Sequence, residues 1–227
     1  MAAALLKERT VAGLHENLAL SLPNINSNSP ILDLGCGTGA WLSRLANMGY
    51  TNLHGVDKDL NGFGCINAAS YCADIDQDDL QLDVGRFDLI TAIEMIEHLE
   101  CPSRLLHHVR ANLAPNGYFL LTSPNIHSAL SRLRFLIKCR FFHFDEHGDH
   151  THIYPIYLFS LERLLVRYGL QIVRKWTYPT KSAGIGSAPL AKLAGRLCSL
   201  FVHDELPGDI LCLIIQRVSC PNDANGS

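Results

Sequence analysis

The sequence predicts a doubly wound α/β fold, in which a mostly parallel sheet carries helices on both faces. Three observations lead there. Short β-rich runs alternate with helical ones along most of the chain, which is the connection pattern of parallel strands. The first of those strands runs directly into three alternating glycines and a helix, in Ile31-Leu-Asp-Leu-Gly-Cys-Gly-Thr-Gly-Ala40. The chain has 227 residues, 48% hydrophobic and 18% charged, enough apolar material for one sizeable core.

Leu6, Val11, Leu14 and Leu18 repeat at helical spacing, and Leu22-Pro23 followed by a polar run ends that helix, so residues 1–29 read as an N-terminal helix and linker. A strand over 31–34, the glycine turn, a helix from Ala40 to Met48 stopped by Gly49 and a strand over 53–56 follow. Next come a weak helix holding Gly62 and Gly64, a strand over 71–73, an acidic loop and a strand over 87–92. A helix over 103–113, a Pro115-Asn116-Gly117 turn and a strand over 118–122 complete a core spanning 30–125. The alternation then breaks into an insert, 126–157. Residues 158–218 carry a helix over 158–168, a strand over 171–176, a helical stretch over 190–201 and a last strand over 209–218. There is no internal repeat, the chain reads as a single domain, and 219–227 have the composition of a frayed tail.

A net charge of −3 argues against a protein built around a nucleic-acid-binding surface. Lys7, Glu8 and Arg9 stand where a signal peptide needs its apolar stretch, and no run approaches the ~18 apolar residues of a membrane span, so a cytoplasmic location is expected. The eight cysteines contain no CxxC pair and no zinc-ligand spacing, and several sit in apolar surroundings, which reads as free buried thiols.

The strand, glycine turn and helix let backbone approach a ligand closely and aim amide donors at it. With Ala40 in the third place the segment also satisfies GxGxxG/A, and Asp57 lies about 20 residues on, where a nicotinamide enzyme needs its ribose-binding acid. Other acids turn the reading away. Asp33 stands inside the strand just before the glycines, where a pyrophosphate would be repelled and a cation welcomed. Asp74 closes the third strand and Glu94 follows the fourth. Acids at four successive strand ends suit a ligand with an amine, a ribose diol, an adenine amino group and a sulfonium charge.

At these residues the sequence resembles the class I S-adenosylmethionine-dependent methyltransferases, whose motifs appear in order over roughly 30–178. Ile31 to Gly39 looks like their first motif, His54-Gly-Val-Asp57 the second, Ala73-Asp74-Ile75 the third, Phe87 to His98 the fourth and Leu113 to Asn125 the fifth. The resemblance implies a Rossmann-like seven-stranded sheet whose last strand is antiparallel. It implies that Gly35 and Gly37 line the donor's methionine moiety, Asp57 holds the ribose hydroxyls, Asp74 and Ile75 bracket the adenine, and Glu94 borders the amino-acid end. Asp33, Cys36 and Lys58, which adjoin these positions, complete the candidate donor set. S-adenosyl-L-methionine is then the cofactor and S-adenosyl-L-homocysteine its product.

Missing motifs narrow the acceptor. The Asn/Asp-Pro-Pro-aromatic run of base-nitrogen methylation is replaced by Thr-Ala-Ile-Glu94, and Cys101-Pro102 reverses the Pro-Cys order of cytosine C5 enzymes. O-methylation of a small-molecule, saccharide or lipid-linked hydroxyl remains. Glu94, Glu97 and His98 fall at i, i+3 and i+4, so a helical turn there would align two carboxylates and an imidazole for a divalent cation, completed by a histidine from the insert. That arrangement is similar to the metal motif of ubiquinone-biosynthesis and small-RNA 2′-O-methyltransferases. A structural Glu-His pair without metal is the other reading. Cys101 stands where relatives usually have Asp before the proline, which touches a helix cap.

Within the insert, Ser131 to Arg140 carries four basic residues and no acid, with apolar positions near helical spacing; it could cap the site, lie on an anionic membrane or form a solvated face. His143, His147, His150 and His152 follow, and His150 and His152 are the candidates for proton acceptor or metal ligand. A metal-dependent RNA 2′-O-methyltransferase and a donor-binding protein without catalysis are the alternative functions.

Overall fold

A computed structural model describes residues 6–80, 82, 84–146, 148–180 and 205–218. Its elements run α1 (Leu14–Leu20), β1 (Ile31–Leu34), α2 (Ala40–Asn47), β2 (Leu53–Asp57), β3 (Ala68–Cys72), β4 (Phe87–Ala92), a 3-10 turn (Ile96–His98), α3 (Pro102–Asn112), β5 (Leu113–Pro124), α4 (Ala129–Lys138), α5 (Leu158–Arg167), β6 (Leu170–Tyr178) and β7 (Ile210–Arg217). The seven strands form one sheet in the order β3-β2-β1-β4-β5-β7-β6, with β7 antiparallel to both neighbours, as the resemblance implied. The helical stretch expected over 190–201 and the tail lie outside the described residues.

Alternate strand residues feed two separate cores. On one face Leu32, Leu34, Ile90, Phe119, Leu121 and Leu213 pack under Leu105, Leu106 and Val109 of α3 and Leu161 and Leu165 of α5. On the other, Ile31, Leu89, Leu120, Cys212 and Ile214 pack under Leu14 and Leu18 of α1 and Trp41, Leu42 and Leu45 of α2. The period-2 burial of each strand is thus satisfied on both sides, the physical content of a doubly wound sheet. Among the described cysteines, Cys36, Cys65 and Cys212 are buried free thiols and Cys72, Cys101 and Cys139 are exposed. No helix among the described residues is long and apolar enough to cross a membrane.

Local differences from the expected elements have identifiable causes. α1 begins at Leu14 because Gly13 adopts φ 80, a left-handed conformation that breaks a helix; Leu6 instead packs over Gly64. No helix forms around Gly62 (φ 88); Phe63 and Cys65 turn inward against Gly39. β3 starts three residues earlier than expected, at Ala68, paired with Leu53 at the sheet edge, where partial exposure erases the apolar signal. The Pro115-Asn116-Gly117 turn is absorbed into β5 as a bulge, since Leu113 opposes Phe87 while Tyr118 opposes Leu89. Cys101 provides no side-chain cap to α3, and the Asp76 carboxylate accepts from the amides of Glu100 (2.9 Å) and Cys101 (3.1 Å) instead.

The seam between β2 and the glycine loop has no spare volume. A Cβ on Gly55 would stand 2.8 Å from Cys36 Sγ and 2.9 Å from Leu42 Cδ1. Gly55→Ala is expected to lower stability by about 1–3 kcal/mol in urea unfolding, with part of the loss recovered in the Cys36→Ala/Gly55→Ala double variant. A neutral Gly55→Ala would contradict this close packing.

Candidate functional site

Two cavities open at the carboxyl ends of the parallel strands, and Gly35 and His98 line both, so the cavities meet there. Asp57, Lys58, Asp74 and Ile75 wall the first, together with Ala73, Asp76, Met95 and Leu99. Asp33, Cys36, Gly37 and Glu94 wall the second, together with Arg9, Thr10, Trp41 and Asp149 among others. Each candidate donor-binding residue read from the sequence therefore borders one of the two spaces.

The glycine loop is held by its own backbone. Gly35, Gly37 and Gly39 have φ 77, 49 and 79, and the Gly35 and Cys36 amides both donate to Val56 O, at 2.8 and 3.0 Å. Gly35 also fits because a Cβ there would lie 2.8 Å from Met95 Cγ. Around Gly37 nothing stands within 4 Å of a Cβ position, so its backbone faces open space. The Gly37 amide donates to Asp57 Oδ2 (2.8 Å) and the Asp59 amide to Oδ1 (3.0 Å), which fixes that carboxylate while leaving lone pairs for a diol. The loop after β3 is fixed from α3: Arg104 donates to the carbonyls of Ile75, Gln77 and Asp78, and His108 Nε2 contacts Ile75 O at 3.2 Å.

The acids of the second cavity are costly to ionise. Asp33 is 3% exposed, and burial pushes its carboxyl up to about 7, with the Thr91 hydroxyl (2.6 Å to Oδ1) opposing and the Asp57 charge adding. Glu94 sits at φ 50, a left-handed conformation that strains a non-glycine residue. Thr122 Oγ1 fixes it there, accepting from its amide at 2.9 Å and donating to Oε1 at 3.0 Å, while burial raises its carboxyl to about 7. A cationic ligand would pull both groups back toward ionisation.

At His98, which lines both cavities, Glu97 and His152 join it, each residue bringing one ligand atom within 4.8 Å of the others. Glu97 is fully buried, and neither of its oxygens nor the nearby Ser123 hydroxyl closes a hydrogen bond. Burial, reinforced by the Glu94 charge, raises its carboxyl well above the usual range. His98 Nδ1 lies 3.1 Å from Thr151 O, and His152 Nδ1 lies 3.0 Å from His143 O; carbonyls only accept, so Nδ1 carries the proton and each Nε2 keeps a lone pair. Burial lowers the His98 pKa. A buried carboxylate without a partner beside two oriented imidazoles is a donor set that fits a divalent cation. The Ile153 and Tyr154 amides donate to Glu97 O (2.9 and 3.0 Å), clamping the insert onto this turn. Glu94 turns away to Thr122, so the sequence trio Glu94, Glu97, His98 becomes Glu97, His98, His152. Neither His150 nor His152 lines either cavity, and His150 is exposed whereas His152 is half-buried against His98.

Several site residues carried no sequence signal. Met95, Arg9, Thr10 and Asp149 reach the cavities only through tertiary placement. Asp76 was visible only as one of several acids in the loop after β3.

A family model described as a methyltransferase domain matches residues 6–175. An EEF1A lysine methyltransferase 2 from Danio rerio is 30% identical over 119 residues, 45% of this chain and 51% of that protein. A ubiquinone biosynthesis O-methyltransferase from Hydrogenovibrio crunogenus is 25% identical over 173 residues, 73% of this chain and 68% of that one. The match thus spans about half the length of the first relative and about two thirds of the second. The crystal structure of a SAM dependent methyltransferase from Archaeoglobus fulgidus shares the fold, with a TM-score of 0.60 at 20% identity over 90% of this chain and 93% of that one.

The buried acid sets a pH dependence. The folded state holds the Asp33 proton more tightly than an unfolded chain, so this carboxyl favours folding most below about 3.9 and loses that contribution as pH rises to about 7. Asp33→Asn, which keeps an acceptor for Thr91, is expected to gain about 2 kcal/mol on wild type between pH 5 and 8 in urea unfolding of the ligand-free protein. A stability difference that does not change with pH would contradict the raised pKa.

Proposed function

The chain belongs to the class I S-adenosylmethionine-dependent methyltransferases, and on that premise we propose that it transfers the donor's methyl group to a hydroxyl oxygen of a small-molecule, saccharide or lipid-linked acceptor. The observation that carries the reading is the Glu97 and His152 pair gathered around His98, which lines both cavities. A donor laid across both, adenosine toward Asp57 and Asp74 and amino acid toward Asp33 and Glu94, would present its sulfonium methyl near their junction. Methyl transfer is an in-line displacement, so the protein must align donor and acceptor and take one proton from the hydroxyl.

His152 suits the proton step because its Nδ1–H is committed to His143 O, which leaves Nε2 basic. His98 stacks edge-on against it, with centroids 4.6 Å apart, and holds the ring in place. A divalent cation held by Glu97, His98 and His152 would instead acidify a hydroxyl bound to it, with His152 Nε2 then serving as a ligand and not as the proton acceptor. The insert also favours the lipid-linked acceptors of the set: Phe135, Leu136 and Ile137 of α4 are 46%, 79% and 69% exposed, beside the exposed cations Arg132 and Lys138, a composition suited to peripheral contact with an anionic membrane.

S-adenosylhomocysteine is expected to bind in isothermal titration, and Asp57→Ala to abolish that binding; no binding to wild type would overturn the donor reading. With labelled donor and a panel of hydroxylated acceptors, His152→Ala is expected to reduce turnover by about 10²–10⁴-fold at unchanged donor affinity. His150→Ala should leave turnover at the wild-type rate. Equal turnover in all three proteins would remove the cluster from the chemistry. Methylation confined to RNA 2′-hydroxyls and lost in chelator would replace the acceptor class.

A further inference from the structure

We infer that Asp149 is a positioning residue for His98: it grips Thr151 of the insert by two groups at once, and Thr151 in turn holds the imidazole with its proton on Nδ1 and its lone pair on Nε2. The inference rests on the methyl-transfer reading above, in which the His98 ring sets the place of His152. The order of protons along the chain of hydrogen bonds leads to it.

Asp149 Oδ1 accepts twice from Thr151, from the amide at 2.9 Å and from the hydroxyl at 2.6 Å. A carboxylate that is ionised at neutral pH only accepts, so the single proton of the Thr151 hydroxyl is committed to it. The same hydroxyl oxygen lies 2.8 Å from His98 Nδ1. With its own proton engaged, that oxygen can only accept there, and Nδ1 must be the donor. The Thr151 carbonyl, 3.1 Å from Nδ1, imposes the same order. A neutral imidazole has one proton to place, so two acceptors on Thr151 draw it to Nδ1 and leave Nε2 as the base or ligand atom.

The acid is needed because Thr151 is exposed, and an exposed hydroxyl turns to whatever partner water offers. Asp149 removes that freedom from the hydroxyl and the amide together. Its carbonyl also accepts from the His152 amide at 3.0 Å, so one residue fixes the hydroxyl that orients His98 and the backbone that carries His152. The two rings then meet edge-on, with an interplanar angle of 73°. Asp149 lines the second cavity beside His98, whereas Thr151 lines neither cavity. The chain of hydrogen bonds therefore starts from an acid in the wall of the donor space and ends on the imidazole next to His152.

The test reads the tautomer directly, by nitrogen NMR of the ligand-free protein carrying labelled histidine, with the His98 signals assigned by their loss in His98→Gln. Wild type is expected to show a protonated Nδ1 and an unprotonated Nε2. Asp149→Ala should move His98 toward the form protonated on Nε2 and lower turnover of a hydroxyl acceptor about 10-fold, the scale of one hydrogen bond. Asp149→Asn, whose side-chain oxygen can accept both bonds from Thr151, should recover the tautomer and most of the rate. Thr151→Val, which removes the hydroxyl and keeps the carbonyl, should give a mixture of tautomers at unchanged S-adenosylhomocysteine affinity. An unchanged tautomer in both Asp149→Ala and Thr151→Val, or a changed tautomer at the wild-type rate, would overturn the positioning role. If wild type turned over no acceptor, the methyl-transfer reading would fall by itself, and the spectra would still decide whether Asp149 orients His98.

Discussion

The hydrogen bond from the Gly37 amide to the Asp57 carboxylate ties together the parts on which the site depends. β1 and β2 run parallel in register, Asp33 beside Gly55 and Leu34 beside Val56, so the loop leaving β1 arrives next to the end of β2. Only a chain free to adopt left-handed φ at alternate positions can then turn back into α2 while keeping its amides directed at that strand end. Asp57 closes the turn, and its second oxygen is engaged by Asp59. The carboxylate is thereby oriented before any ligand arrives, and Gly55 must lack a side chain because Cys36 and Leu42 occupy the adjoining volume.

Around that anchor the fold tolerates three carboxyl groups that burial disfavours, Asp33, Glu94 and Glu97. Two of them are held in geometry by threonines, Thr91 and Thr122, which project from neighbouring strands β4 and β5. Glu97 has no such support, and its oxygens remain without partners. Buried acids of this kind lower the stability of the ligand-free protein and gain strength toward a cation for the same reason, the absence of competing water. Their cost is shared out along the strand ends where an open parallel sheet places its ligand.

What the sequence disclosed follows the same division. Ile31 to Gly39, Asp57 and Asp74 were legible because strand, turn and acid lie close together in the chain, and backbone conformation dictated the residue types. α1, by contrast, could not be bounded by apolar spacing alone, since Leu6 and Val11 continue a helical period across Gly13, whose left-handed φ ends the helix. The strand at 68–72 was displaced because an edge strand buries too little to alternate. Glu94 looked like a partner of Glu97 and His98 on helical spacing, yet its left-handed φ rotates it toward Thr122 and only three residues of 3-10 turn form. His150 and His152 are equivalent on composition; the His143 carbonyl and the His98 ring distinguish them, and both contacts come from distant parts of the chain.

The insert is therefore more than a cover over the acceptor. Its amides at Ile153 and Tyr154 hold the carbonyl of Glu97, and its Thr151 holds the imidazole of His98. On its other side, Arg134 of α4 pairs with Asp145 and lies over the Phe142 ring, 4.4 Å from the centroid, so the loop that carries His152 is braced against α4. A change in the insert that admits a different acceptor would also shift the residues proposed to take its proton. Acceptor choice and reaction geometry are coupled through these few bonds, whereas the glycine loop and Asp57 are held by bonds that do not involve the insert. One sheet can keep a constant glycine loop and Asp57 while the insert varies, and this separation explains why that part of the donor site was readable from local sequence and the acceptor was not.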